Sequence, residues 1–465
     1  MTVPSSAVSL PTPAPEAPAV SVRGGVPGNT TARVQRLAAS GRRVVMVRVD
    51  PAQRRGALAA EDSTTIAQGA ELALSTRIPL VVMLASSGAD VFDGVASLDG
   101  WGRAARALSN CSGVVPTVFV AYGLALSGPA LMLGMADLVV MTDDAMAYVS
   151  GPAAVAQLTG FHLSPAQLGG HGVHSRSTGV AALSASTPEE ALDVVAAVLD
   201  YLPDHADSPA PMWPTDDPPE RPTPELRDLL PASPTGSYDV RHAIRAIADD
   251  EDLLELRARW APQLVTALTR IDGHPVGVVA NQPQSMAGTL DIAASQKGAR
   301  FVSFCDSFNL PLVTLVDTPG FMPGKDLEWR GMIRHGAQLV YAYAEATVPR
   351  VCLIMRKAYG GAYIVMDSKL MGNDLCLAWP TAQVAVMGAE GAVQILHRRK
   401  DTATQSRLVD EYRETYLNPY VAAERGFVDD IIDPAETRRV VVNSLRMLVT
   451  KRERLVGRKH GNGPL

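Results

Sequence analysis

Two short runs of small residues mark where this chain could do chemistry: Leu126-Ser127-Gly128-Pro129 and Tyr359-Gly360-Gly361-Ala362. Each follows an apolar, strand-like run and reads as a corner where a strand turns into a helix. Small residues let an oxygen of another molecule come close to the backbone. Amides at a helix start have no partner within the helix, so they can donate to an oxygen that gains charge during a reaction. A tight turn alone would explain one glycine pair. Two pairs at matching places point to a shared chemical use. At the first corner Pro129 has no N–H to add.

Familiar nucleophile, metal and phosphate motifs are absent from the sequence: no HExxH, no GxSxG, no Walker-type loop and no dinucleotide fingerprint. The candidate donors are therefore backbone amides, in a site that works by positioning and electrostatics while a bound cofactor supplies the base. His171 and His174 have no carboxylate at ligand spacing, and a loop role is favoured over metal binding or acid–base work. Arg356 and Lys357, just before the second corner, read equally as a phosphate- or carboxylate-attracting pair and as a solvated surface pair. Asp317, followed by Thr318-Pro319-Gly320, reads as a turn cap. The four cysteines form no CxxC pair and read as buried free thiols of a reduced, cytoplasmic protein.

The elements that position the corners occur twice. RIPLVVML and VVPTVFVAYG in the first half are echoed by NLPLVTLV and TVPRVCLIMRKAYGG in the second. Pro116 precedes Ser127 by the same number of residues as Pro349 precedes Gly360. Asp137 and Gly151 are 14 residues apart, as are Asp374 and Gly388. These short apolar runs read as strands buried on both faces. Thr65–Ser75 and Gly331–Ala346 have helical spacing. Repeated strand-strand-helix units with glycine corners predict an α/β fold in which sheets cross in a spiral, present in two copies.

At 465 residues the chain is long enough for two domains. Its composition, 47% hydrophobic and 19% charged, is that of a globular protein with a large core, and a net charge of -6 excludes a basic nucleic-acid footprint. No apolar run reaches membrane-spanning length. Residues 1–28 are rich in Pro, Ala and Ser and read as a disordered tail. Domains are expected over 29–202 and 235–450, joined by a proline-rich linker over 203–234, with a basic tail over 451–465.

The second half carries the runs RIDGHPVGVVANQP, LDIAASQKGARFVSFCDSFNLPLVTLVDTPGFMPG, RKAYGGAY, LAWPTAQVAVMGAEGAVQILHRR and NPYVAAERGFVDDII. On these it resembles the carboxyltransferase (beta) subunit of biotin-dependent acyl-CoA carboxylases. The first half is similar to the same family's N-terminal domain through SSGADVFDGVASLDGWG, GMADLVVMT, YVSGP and LGGHGVHSRSTGVA. The resemblance implies two tandem crotonase-like domains of the ClpP/crotonase spiral type, built from ββα units. It implies a homo-hexamer with acyl-CoA on the N-domain and carboxybiotin on the C-domain of a neighbouring subunit. The carboxyl group would pass from biotin on a separate carrier protein to the α-carbon of a short acyl-CoA, with no metal required by this subunit.

By match to the motif, Gly360, Gly361 and Ala362 would hold the biotin ureido oxyanion, and Ser127 and Gly128 the thioester oxygen. Gly88, Ala89, Tyr363 and Ile364 would contact substrate, with Ile364 lining the acyl pocket. Ser127 stands where the family has glycine, and Asp90 where it has arginine. A biotin carboxylase and biotin-carrier (alpha) subunit is the implied partner, since the chain has neither an ATP-binding module nor a Met-Lys-Met site. Alternatives are a biotin-dependent decarboxylase or transcarboxylase, a simple CoA hydratase or isomerase, and a degenerate non-catalytic subunit.

Overall fold

The computed structural model describes residues 28–233, 235–451 and 453–464. The tail expected over 1–28 falls, Gly28 apart, outside the described residues. In the first half the apolar runs form β1 (Thr30–Arg36), β2 (Arg43–Val49), β3 (Leu80–Ser86), β4 (Thr117–Leu126), β5 (Leu138–Thr142), β6 (Met146–Tyr148) and β7 (Leu183–Ala185). The second half forms β8 (Leu254–Leu256), β9 (Leu264–Ile271), β10 (His274–Asn281), β11 (Leu312–Thr318), β12 (Arg350–Tyr359), β13 (Leu375–Ala378), β14 (Gln383–Ala385) and β15 (Asp430–Ile431).

One sheet runs β1-β2-β3-β4-β5-β7 and the other β15-β13-β12-β11-β10-β9-β8. Parallel pairing links β2 through β7 and β10 through β15. Among the described strands, the antiparallel pairs are β1–β2, β8–β9 and β9–β10.

Both sheets are covered on both faces, as unbroken apolar strands require. Leu80, Val82 and Leu84 of β3 pack with residues of the helices Ala60–Thr76 and Val95–Cys111. Val81 and Met83 point the other way, into a core with Phe301 and Phe304 of the helix Ile292–Ser307. The second sheet repeats the scheme. Val313, Leu315, Val351 and Leu353 pack with the helices Arg241–Ile247 and Thr437–Leu448, while Leu312, Cys352 and Ile354 join the core of Val81 and Met83. The two halves therefore share one central interior. Each Val or Leu buried there contributes about 1.5–3 kcal/mol, so the contact between the halves is part of the fold.

The proline-rich stretch carries one helical turn, Pro224–Arg227, among its described residues. It lies along the second half, with Trp213 N–H donating to the Gly273 carbonyl at 2.8 Å and Thr223 N–H to that of Ala435 at 2.7 Å.

The repeat reaches individual residues. β4 and β12 are both ten residues long. The first part of each pairs with β5 or β13, and its last three residues pair instead with β6 or β14. Register shifts fall at equivalent places, Leu84/Ser86 and Val316/Thr318. Each long strand thus leaves one sheet layer, enters another and turns at once into a short helix, Gly128–Leu133 or Gly360–Val365. This is the crotonase-like spiral, present twice, as expected.

Candidate active site

At the first corner Ser127 has φ 63° and ψ −132°, a region that favours glycine. Its N–H donates to the Tyr148 carbonyl of β6 at 3.0 Å, and the Ala130 N–H returns to the Ser127 carbonyl at 3.0 Å. Of the two donors expected here, the Ser127 amide is therefore already engaged. Gly128 N–H lies in the first helical turn, where amides lack intrahelical partners, and Pro129 follows it. A Cβ on Gly128 would sit 2.9 Å from Trp101 Nε1, so the Trp101 indole occupies that side of the corner. Gly88 faces the same corner, its α-carbon side looking onto the Leu126 carbonyl and Ser127 Cβ. Ala89 beside it bridges to Leu58.

Asp90 is buried and pairs with Arg54 while its carboxylate accepts the Phe92 N–H at 3.0 Å. The acid that replaces the family's arginine is thus committed to holding this loop.

The second corner follows the same path with different support. Gly360 takes φ 60°, and a Cβ there would lie 3.0 Å from the Val386 carbonyl, so its glycine is fixed by the backbone. Gly361 is another matter. It has no left-handed φ, and a Cβ on it would meet only the Phe321 ring at 3.7 Å, an ordinary contact. Nothing in the chain's own packing requires glycine at 361. Ala362 is fully buried beneath it, and Tyr363 is buried with only 8% exposed.

A buried ion pair anchors this corner from below. Asp317 at the end of β11 accepts from Arg356 Nε and from the Tyr238 hydroxyl, both at 2.9 Å, and from the Lys357 N–H at 3.1 Å. Burial raises the Asp317 carboxyl above its usual range, and the Arg356 charge opposes that rise. Burial likewise lowers the Lys357 ammonium. Arg356 is a buried partner of Asp317 rather than an exposed, anion-attracting group. Equivalent strand positions in the first half hold Ala85 and Gly123, which cannot form such a pair.

A cavity of about 500 Å³ opens beside Gly360 and Gly361, walled by Tyr363, Ile364, Leu370, Val386, Tyr412 and Phe427 among others. Ile364 is 41% exposed there. Every lining residue lies between 360 and 427, so Gly88, Ala89, Ser127 and Gly128 take no part in it. A larger cavity of about 1260 Å³, between residues 206–212 and the C-terminal helix, holds neither corner.

His171 Nε2 lies 2.6 Å from the Ser184 hydroxyl, and His174 contacts Thr178 Oγ1 at 2.8 Å and the Ala147 carbonyl at 2.7 Å. These rings brace the loop after β6. Among the described residues no cluster of three or more His, Cys, Asp or Glu could hold a metal, and no helix is long and apolar enough to cross a membrane. All four cysteines are buried and free.

The fold is that of a tandem crotonase-like protein, with a strand-to-helix corner at the same place in each half. The carboxyl transferase domain model matches residues 38–463, and the chain belongs to that family. The propionyl-CoA carboxylase beta chain of Saccharopolyspora erythraea is 44% identical over 444 residues, covering 91% of this chain and 81% of the relative. Methylmalonyl-CoA decarboxylase subunit alpha of Veillonella parvula is 40% identical, covering 88% and 80%. Among solved structures, the transcarboxylase 12S hexamer with methylmalonyl-coenzyme A bound superposes with a TM-score of 0.91 at 40% identity, covering 94% of this chain and 85% of that one.

Proposed function

We propose that this chain is the carboxyltransferase subunit of a biotin-dependent acyl-CoA carboxylase, acting with a separate biotin carboxylase and biotinylated carrier. Carboxybiotin, when bound, would supply the carboxyl group as CO2, and the biotin anion left by that cleavage would take up the α-proton of the acyl-CoA. Gly361 N–H, at the rim of the 500 Å³ cavity, donates to the ureido oxygen. The carrying observation is that Gly361 is free of side chain without any need of the fold, as close approach of a ligand to its amide requires. Gly128 N–H donates to the thioester oxygen, which gains charge as the α-proton leaves. Ile364 limits the volume offered to the acyl group.

The second-corner cavity takes no residue from the first half, which supports a site completed by the N-domain of a second copy, in a hexamer like that of the transcarboxylase 12S protein. Mixing the chain with carboxylated carrier and a panel of short acyl-CoAs tests the reading. Carboxylated acyl-CoA should form, with no ATP consumed by the chain alone. Absence of product with every acyl-CoA, or ATP-driven carboxylation by the chain alone, would refute it.

A further inference from the structure

The lining of the second-corner cavity contains no Asp or Glu. Its walls are largely aliphatic and aromatic, and two cationic side chains, Lys369 and Arg425, reach it. They differ in what already holds them. Lys369 Nζ is 2.7 Å from the Asp429 carboxylate and 3.1 Å from the Asp374 carbonyl, so its charge is matched. Arg425 is exposed just after the helix Pro419–Glu424, where its N–H donates to the Ala423 carbonyl; its guanidinium has no hydrogen-bond or ion-pair partner among the described residues. Ser368 also lines the cavity, only 2% exposed, and its hydroxyl has no partner either. A buried hydroxyl left unpaired is costly. Of the two cations in the lining, the Arg425 guanidinium alone is uncommitted, and no Asp or Glu of the lining opposes it.

A guanidinium in apolar walls fits a planar, two-oxygen anion better than it fits a neutral ring. Uncarboxylated biotin offers an uncharged ureido group, whereas its carboxylated form adds a carboxylate. We infer that Arg425 receives that carboxylate and lets the cavity tell the loaded cofactor from the spent one. This rests on the reading of the cavity as the biotin site. Gly361 N–H then serves the ureido oxygen, which both forms share, and Arg425 serves the group that only one form carries. Discrimination follows from an anion present in one ligand and missing in the other.

The test is a binding titration on the full-length, assembled protein with two stable probes. One is biotin methyl ester, which is neutral; the other is its N1′-carboxymethyl derivative, which carries a carboxylate on N1′ one methylene beyond the place of the transferable carboxyl group. The wild type should bind the anionic probe more tightly by about 10-fold or more, the scale of a charge-assisted hydrogen bond. Arg425→Gln should abolish that preference and leave the affinity for the neutral probe within about 2-fold, far less than one such bond is worth. Arg425→Lys should restore part of it. An unchanged preference in Arg425→Gln overturns the assignment. Gly361→Val separates this failure from that of the underlying reading. If Gly361→Val leaves both probes bound as in the wild type, the cavity is not the biotin site and the assignment to Arg425 falls with it.

Discussion

At the first corner the protein's own packing demands glycine, because Trp101 fills the space that a side chain on Gly128 would need. At the second, Gly361 could carry a methyl group against Phe321 without a clash. Support from below is reversed. Ala85 and Gly123 sit under the first corner, whereas the Asp317–Arg356 pair and Tyr238 hold the second. The two corners share the strand-to-helix path, including the φ near 60° of Ser127 and Gly360. The side chains around that path differ. A similar backbone turn is thus compatible with one corner packed against an indole and another held by a buried charge pair. A glycine that the fold does not need is a better pointer to a ligand than a glycine that it does.

The largest expected effect comes from removing the pair that distinguishes the second corner. Asp317→Ala leaves Arg356 buried without its carboxylate, and breaking a buried pair from one side costs about 3–5 kcal/mol. The denaturation midpoint should fall accordingly. Arg356→Met on that background removes the stranded charge and should recover part of the loss, since apolar replacements of buried pairs are often tolerated. If the double variant is no more stable than Asp317→Ala alone, burial of the unpaired charge is not what makes the second corner depend on this pair.

Gly361→Val comes next and acts on chemistry rather than stability. The substitution places a branched side chain beside the amide assigned to the ureido oxygen, and loss of one such donor costs about 10²–10³ in kcat. Gly361 has no left-handed φ, and a Cβ there makes only an ordinary 3.7 Å contact with the Phe321 ring, so thermal stability should fall far less than in the matching variant of the first corner. The matching change at the first corner, Gly128→Val, collides with Trp101 and should destabilise the protein. Equal loss of stability in both variants would erase the distinction between a glycine kept for a ligand and one kept for packing.

Much of this architecture is legible in the sequence because the repeat is punctuated by prolines. Pro79, Pro116, Pro311 and Pro349 precede the four long parallel strands β3, β4, β11 and β12, and counting from Pro116 and Pro349 locates both corners. Apolar runs without polar alternation also announce strands covered on both faces. What sequence reading misses depends on contacts between distant segments. Trp101 meets Gly128 from another helix, and the Asp317–Arg356–Tyr238 cluster gathers three separate stretches. Arg356 stands beside Lys357 in the sequence and looks equally suited to solvent, yet β12 turns it inward. The shared interior is likewise hidden, because nothing in the sequence says that Phe301 and Phe304 pack against Val81 and Met83 of the other half. Arg425 and Phe427 reach the cavity from a family run that carries no role for them in the sequence, and Tyr412 from a segment outside any such run.

The smallest effect tests the strain at Ser127. Its φ of 63° and ψ of −132° belong to a region that glycine enters freely and other residues enter at a cost of about 1–3 kcal/mol. The side chain is exposed and makes no hydrogen bond that could repay this cost within the chain. Gly360 holds the equivalent place with φ 60°. Ser127→Gly therefore relieves strain, and the extra freedom that glycine gives the unfolded chain offsets part of the gain. A net stabilisation of about 1 kcal/mol is expected, read as a higher denaturation midpoint. Ser127→Ala keeps the strain while deleting the hydroxyl, so its stability should remain near wild type. The Ser127 amide is bonded to Tyr148 in any case, and acyl-CoA affinity should be unchanged in both variants. If both lose acyl-CoA affinity while only the glycine variant gains stability, the hydroxyl contacts the ligand and the strain serves it. If Ser127→Gly gains no stability at all, the two corners do not share the turn that their dihedral angles describe.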